Sequence, residues 1–337
     1  MKTYPQARWE SIKSELGIDP NIELSSSGQG ITIGIIDSGY PPIELPNAPS
    51  NNNQLYHQNY TQDPDIYDHL GHGTSMHSVI TDPLGISPRV NVVHYKIDTI
   101  NEKQPFQNFE KALSYIYTQY QLTKQAPDVL LIAKQDEHNY NHYDQIPREY
   151  DAIHSLLTQL EEENIILIAS SGNHYAKGNG MSFPAIIKSC ISVTGSKQTT
   201  RHKVSNADAI MTSANFIEGG ECCTDIIAPG ENIPSYTLTH QRTTTSGTSP
   251  ASALVASCTA VLKEVYCTAE NKHSLLFNNH LLRAIMDKAN TLHDQKEIKM
   301  LNQIDLPNCI GILKSLLLQN SNNQSNESHQ TNRIKFS

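Results

Sequence analysis

The sequence predicts an α/β fold with a mostly parallel central sheet and helices on both of its faces. Two patterns predict it. Short runs rich in Ile and Val recur along the chain at strand length and without polar alternation, as strands buried on both faces require. Longer stretches with apolar residues near every third or fourth position separate them, as amphipathic helices require. Alternation of the two is the signature of parallel strands joined by helical crossovers.

In chain order, Ile31–Ile36 reads as the first buried strand. Thr74–Ile80 is compatible with a helix, and Val90–Ile97 is a second strand. Asn108–Tyr120 is an amphipathic helix, Asp128–Ala133 a strand, and Glu149–Glu163 a helix. Ile165–Ser170 and Cys190–Thr194 are further strands. Helices are expected at Pro250–Tyr266, Leu275–Ala289 and Asn308–Leu318. From Gln319 to Ser337 the chain is rich in Asn and Ser, and a disordered polar tail is expected there. The folded unit is therefore expected to span residues 1–318 as one domain. A parallel sheet of this kind gathers ligands at the carboxyl ends of its strands.

Composition narrows the function classes. The chain has 337 residues, enough to bury a large core. A net charge of −9 without a Lys/Arg block argues against nucleic acid or an anionic membrane as the main partner. No stretch has the apolar length needed to span a bilayer, so no membrane insertion is expected. The N-terminal residues MKTYPQARWESIKSEL lack the apolar core of a secretory signal. A cytoplasmic location is expected, or export without such a signal, as for a delivered effector. Cys190, Cys222, Cys223, Cys258, Cys267 and Cys309 form no C-x-x-C pair, and reduced, mostly buried thiols are expected. No cofactor is called for, and oligomeric state is open.

Four short segments carry chemistry. Asp37 ends the strand GITIGIID and is followed by Ser38-Gly39, at a strand end where functional groups gather; a turn aspartate is the plainer reading of D-S-G alone. His72 lies in Gly71-His72-Gly73-Thr74 at the start of a candidate helix, whose dipole favours the neutral imidazole that a general base needs. Alone, it too reads more readily as a surface or packing histidine. Ser249 lies in Ser246-Gly247-Thr248-Ser249-Pro250-Ala251-Ser252, where a glycine turn leads into a small-residue helix with proline at its start. A helix start offers N–H groups that can stabilise an oxyanion, while a plain serine cap is an equal local reading. Asn173, in Ser170-Ser171-Gly172-Asn173 after the strand IILIAS, presents an amide that can donate to an oxyanion or merely close a turn.

Taken together, the succession Asp-Ser-Gly, Gly-His-Gly-Thr, Ser-Gly-Asn and Gly-Thr-Ser-x-Ala-Ser resembles that of the subtilisin-like serine proteases (peptidase family S8). The resemblance extends from about Tyr4 to about Leu318. It includes Gly85-Ile86-Ser87-Pro88, Phe183-Pro184-Ala185, Asp225-Ile226-Ile227-Ala228-Pro229-Gly230 and Asn308-Cys309-Ile310-Gly311-Ile312. It implies a subtilisin-like three-layer fold and a serine endopeptidase acting on a peptide or protein. By the same resemblance, Asp37, His72 and Ser249 form a catalytic triad, with Asn173 and the Ser249 N–H as oxyanion hole. Activity is then expected to fall as His72 protonates, between about pH 7 and 6. The resemblance also implies that Ala133, Lys134, Gln135, Ser170, Ser171 and Gly172 line the substrate.

Departures from the family pattern qualify this. Where the family carries Ser-Leu-Gly-Gly as a wall for an extended substrate, this chain has Ala133-Lys134-Gln135-Asp136, so a narrowed cleft and a selective enzyme are expected. An occluded, inactive binding module and an esterase using the same triad stay open as alternatives. The interval from Gly73 to Leu84 is short and Asp82 is its single acidic residue, so no calcium is expected at residues 80–85. Asp37 lies too near Met1 for the large inhibitory segment of secreted relatives, so either folding without one or a trimmed chain is expected.

Overall fold

The computed structural model describes residues 3–19, 24–43, 57–198, 210–218, 220–269, 275–291 and 302–319. Its centre is a seven-stranded parallel sheet. The strands are β1 (Thr32–Asp37), β2 (Gln58–Asn59), β3 (Asn91–Lys96), β4 (Val129–Ile132), β5 (Ile166–Ser170), β6 (Ile191–Ser196) and β7 (Ile226–Pro229), in spatial order β2-β3-β1-β4-β5-β6-β7. An antiparallel hairpin of β8 (Ile233–Tyr236) and β9 (Arg242–Thr245) stands apart from it. The helices are α1 (Tyr4–Glu15), α2 (His72–Thr81), α3 (Pro105–Thr123), α4 (Asp151–Glu162), α5 (Thr248–Thr268), α6 (Asn279–Thr291) and α7 (residues 306–319).

Side chains leave alternate faces of each strand, and the two cores divide accordingly. Ile33 and Ile35 of β1, Val129 and Leu131 of β4, and Ile166 and Ile168 of β5 pack with Trp9 of α1, Met76 of α2 and the apolar length of α5. Ile36, Leu130, Ile132 and Leu167 face the other way, onto Phe109 and Leu113 of α3 and Leu157 of α4. The result is three layers, helix on sheet on helix, as the apolar runs predict.

Element boundaries moved for local reasons. α3 starts at Pro105 rather than Asn108, because proline suits the first helical turn. α6 starts at Asn279 rather than Leu275, because the Asn278 side chain accepts the Leu281 N–H at 3.0 Å and sets the cap there. α5 starts at Thr248, two residues before Pro250. Five elements went unforeseen: α1, whose sequence YPQARWESIKSE is mostly polar, the two-residue β2, the four-residue β7, and the two strands of the β8–β9 hairpin, the second of which is Arg-Thr-Thr-Thr. Gln319, where the polar tail was expected to begin, ends α7, and residues 320–337 lie outside the described residues. All six cysteines are unbridged; Cys223 and Cys267 are exposed and the other four are buried. No described helix is long and apolar enough to cross a membrane.

Beneath the loop that follows β1 lies a cluster of imidazoles. His94 of β3 sits in register with Ile35, and its Nε2 is 2.9 Å from Nδ1 of His77 on α2. Its backbone N–H donates to Nδ1 of His57 at 2.9 Å. The Tyr40 ring closes the cluster, with centroids 4.6, 5.6 and 5.3 Å from His57, His77 and His94. The His77–His94 bond needs one ring nitrogen without a proton, so both rings cannot be cations while it persists. Burial pushes His57 down to about 4 and His77 down to about 3, and holds His94 well below its ordinary value.

These imidazoles stay neutral in the fold but take up protons below about 6.5 once unfolded, so stability is complete above about 6.5 and is lost as pH falls toward 4. Urea midpoints should therefore decline steeply between pH 7 and pH 4, and His57→Gln should flatten part of that decline.

Candidate active site

The carboxyl ends of β1, β4 and β5 and the N-termini of α2 and α5 converge on one edge of the sheet. β1 ends on Asp37, which is 5% exposed. Its Oδ2 and Oδ1 lie 2.7 and 2.9 Å from His72 Nδ1, and Oδ1 also accepts the Ser38 N–H at 2.6 Å. Desolvation opposes ionisation of Asp37, but the charge and hydrogen bond of His72 and the bonds from Ser38 outweigh it and hold the carboxyl below its ordinary value. For His72, desolvation works against the imidazolium, yet the charge and hydrogen bond of Asp37 and the charge of Asp68 outweigh it and raise the ring above 6.5. The helix dipole alone predicts the opposite direction, so the carboxylates win.

Two residues without a motif of their own build the seat of this pair. Asp68 is 1% exposed; its Oδ1 accepts the N–H groups of Leu70 and Gly71, each at 2.9 Å, and its Oδ2 accepts that of Thr74 at 2.7 Å. It thereby caps α2, of which His72 is the first residue. Ser38 donates to Asp68 Oδ1 at 2.9 Å and accepts the Gly73 N–H at 2.9 Å, which joins the end of β1 to the start of α2. Between them Gly39 has φ +128°, and a Cβ there would stand 2.5 Å from the Ile66 carbonyl, so only glycine fits. An acidic residue four places before His72 was a visible capping signal; Ser38 was visible only as part of D-S-G.

On the opposite wall, α5 begins at Thr248 and places Ser249 in its first turn, where backbone N–H groups have no intrahelical partner. The Thr248 N–H is taken by Asn173 Oδ1 at 3.0 Å. That bond holds the Asn173 amide by its oxygen and leaves its NH2 as the donor end. Asn173 is held in turn by its loop: the Gly172 N–H donates to Thr248 Oγ1 at 3.3 Å, and the His174 N–H to Asn215 Oδ1 at 2.7 Å. Gly172 has φ +112°, and a Cβ there would lie 2.4 Å from Ser182 Oγ. Asn215, which also accepts Ser171 Oγ on its carbonyl and donates to Asn139, had no signal in the sequence.

The Ser249 hydroxyl donates to the Ala133 carbonyl at 3.3 Å and makes no hydrogen bond to His72 in this conformation. The sequence-predicted site is thus gathered at one place, with Asp37 and His72 bonded and Ser249 turned to the adjacent wall.

That wall accounts for the remaining residues. Lys134 Nζ pairs with Asp98 Oδ2 at 2.5 Å, and Gln135 Oε1 accepts the Ser170 hydroxyl at 2.7 Å. Asp136 is buried, accepts the Phe183 N–H at 3.0 Å and the Tyr140 hydroxyl at 2.6 Å, and is raised by burial above its ordinary value. Ser171 is fully buried, its N–H on the Val193 carbonyl at 2.9 Å, so it holds the loop from within. On the other side of His72 a cleft of about 490 Å3 runs between Leu70, Ser75, Tyr236, Leu238 and Thr244. Asp82 serves its own turn, accepting the Leu84 N–H at 2.9 Å, and no group of three or more metal-type side chains occurs among the described residues.

Comparison with known proteins places this geometry. No curated protein sequence matches the chain. Among solved structures, a lanthipeptide protease superposes with a TM-score of 0.67 at 15% identity, covering 92% of this chain and 96% of that one. A psychrophilic protease gives 0.62 at 17% identity, covering 87% and 91%. A cold-adapted subtilisin-like serine proteinase gives 0.59 at 17% identity, covering 88% and 97%. At these identities the likeness is one of fold. Residues 28–326 match the model of the subtilase family, most of the chain, and the protein therefore belongs to the subtilase family of serine proteases.

Proposed function

We propose that this chain is an endopeptidase that cleaves peptide bonds through Ser249, His72 and Asp37, with narrow substrate specificity. The observation that carries the reading is the short Asp37–His72 contact facing a helix start that holds Ser249, with the Asn173 amide oriented beside it.

In this reading a rotation about the Ser249 side chain exchanges the Ala133 carbonyl for His72 Nε2. Ser249 Oγ attacks the peptide carbonyl, and its proton passes to Nε2. Asp37 holds the other ring nitrogen, keeps the tautomer that leaves Nε2 free, and stabilises the imidazolium. The tetrahedral oxygen carries the negative charge and is met by the Asn173 NH2 and the Ser249 N–H. Collapse breaks the C–N bond, and the amine leaves with the proton from His72. Water then attacks the acyl ester, gives its proton to His72, and the returning proton frees Ser249.

Selectivity is inferred from the wall. An extended substrate meets two side chains, Lys134 and Gln135, whose polar ends are already engaged with Asp98 and Ser170, while Asp136 lies buried behind them on the Phe183 N–H. The Gln135–Ser170 bridge crosses from the β4 end to the β5 end next to Gly172 and Asn173, which leaves less room beside the scissile bond. A site accepting only small or specifically placed side chains follows.

A fluorophosphonate probe should label the wild type, and Ser249→Ala should abolish labelling; equal labelling of both would remove Ser249 as nucleophile, and no labelling of either would favour a binding module. Asn173→Ala should lower kcat by about 10²–10³ with a smaller change in KM. Turnover of esters without turnover of any peptide in a library would instead favour an esterase.

Because Asp37 and Asp68 raise His72 above 6.5, the active neutral ring is lost as pH falls through that raised value. The acid limb of kcat/KM should therefore lie above pH 6.5 rather than between 7 and 6. A limb centred below pH 6 would contradict His72 as the base.

Gln135→Gly should remove the bridge to Ser170 and broaden the side chains accepted next to the cut, read as a rise in kcat/KM for bulky residues in a peptide library. An unchanged preference would separate this wall from specificity.

A further inference from the structure

The segment that delivers His72 is wrapped around a buried cation. Lys96 ends β3, is 0% exposed, and stands in register with Asp37 of β1. Its Nζ donates to Asp63 Oδ2 at 2.7 Å, to the Tyr67 carbonyl at 2.6 Å and to the Asp65 carbonyl at 3.4 Å, with Asp65 Oδ1 3.8 Å away. All these oxygens belong to the stretch between β2 and α2. Asn59 ties the same turn from the other side, donating to the carbonyls of Asp63 and Asp65 at 2.8 and 2.7 Å. The Thr99 hydroxyl donates to the Asp63 carboxylate.

A lysine this deep is costly unless its donors are all met, and its three donors meet three oxygens. Where those bonds lead separates it from an ordinary buried pair. The Tyr67 carbonyl immediately precedes Asp68, whose N–H donates to the Tyr40 carbonyl at 2.7 Å, while the Tyr40 N–H donates to the Ile66 carbonyl at 2.9 Å. Asp68 then holds Ser38 and caps the helix that starts with His72. From Lys96 the backbone also runs directly to the other partner, since the Ile97 N–H donates to the Asp37 carbonyl at 2.8 Å. One residue therefore anchors both sides of the Asp37–His72 contact.

We propose that Lys96 acts as a protein-borne cation that sets the position of Asp68 and, through it, the seat of His72 against Asp37. It touches neither substrate nor reacting atoms and is a positioning residue. The inference rests on the proposed role of His72 for its kinetic consequence only. One carboxylate, two carbonyls and a second carboxylate nearby form an all-oxygen set of the kind that hard cations accept. The side chains of Asp63 and Asp65 are 24% and 37% exposed, so the set is reachable from solvent. Removing the lysine to its Cβ should convert a filled cation seat into an empty one.

The test compares the full chain with Lys96→Ala and Lys96→Met in calcium chloride and in sodium chloride of equal ionic strength. Lys96→Ala should lose about 10- to 100-fold in kcat with KM nearly unchanged, as a displaced catalytic base predicts. Calcium should restore part of that kcat and raise its Tm, while leaving wild type and Lys96→Met, whose stem fills the space, unaffected. Wild-type kcat in Lys96→Ala, a loss falling on KM alone, or a calcium effect no larger than in wild type would each overturn the proposal. Should Lys96→Ala fail to fold, Asp63→Asn keeps the lysine and should show a smaller loss confined to kcat; an unchanged kcat there overturns it equally. If wild type neither labels with the probe nor cleaves peptide, the proposed activity fails by itself, and the calcium-dependent Tm of Lys96→Ala still decides the cation seat.

Discussion

The contact between the Asp37 carboxylate and His72 Nδ1, 2.7 Å long, is the constraint around which the rest of the molecule is arranged. Its two members come from different kinds of element, the last residue of a central strand and the first residue of a helix on one face of the sheet. Strand and helix each have their own packing preferences, and nothing local makes their ends meet to within a few tenths of an ångström. That precision is supplied by a polar scaffold. Ser38 bonds both to Asp68 and to the backbone of α2, Asp68 satisfies three N–H groups of the helix start, and Lys96 holds the carbonyl that precedes Asp68. Each bond is worth little alone, yet in a buried network every unmet partner is expensive, so the geometry is held by the cost of departing from it.

The parallel sheet explains why five segments far apart in sequence share one site. Every strand of such a sheet points the same way, so the loops after β1, β4 and β5 emerge at one edge, and the helices that cross back begin near it. Helix starts carry unpaired N–H groups. The fold uses one such start for His72, closed off by Asp68, and another for Ser249, closed only in part by Asn173. The difference matters. A start whose N–H groups are engaged by side chains is held in one orientation, whereas a start with an unengaged N–H can meet a negative charge.

The wall after β4 is the part of the site most particular to this chain. A glycine-bearing wall lets substrate backbone lie close and reads little of its sequence. Here Lys134 and Gln135 bring side chains to that position and are tied to Asp98 and Ser170, while Asp136 is buried against Phe183 and Tyr140.

The sequence by itself determined the α/β class, because runs such as Ile31–Ile36 and Ile165–Ser170 are apolar throughout and their intervening stretches repeat at helical spacing. It also pointed to Asp37, His72, Asn173 and Ser249 as candidates, since they sit in short motifs where strands end and helices begin. It could not reveal β8 and β9 or α1, whose apolar content is low and whose stability comes from what they pack against, Trp9 and Ile12 of α1 being buried by the sheet-side core. Nor could it reveal that Asn215 and Lys96 support the site, or that Asp68, whose capping position is visible, also reaches Ser38, because these partners at Gly172–His174, Tyr67 and Ser38 are brought near by the tertiary fold rather than by spacing along the chain. Tertiary structure alone decided the direction of the His72 shift as well. The helix dipole, legible locally, favours the neutral ring, but two carboxylates brought in from separate segments outweigh it, because opposite charges within a few ångströms act more strongly than the partial charge of a helix end.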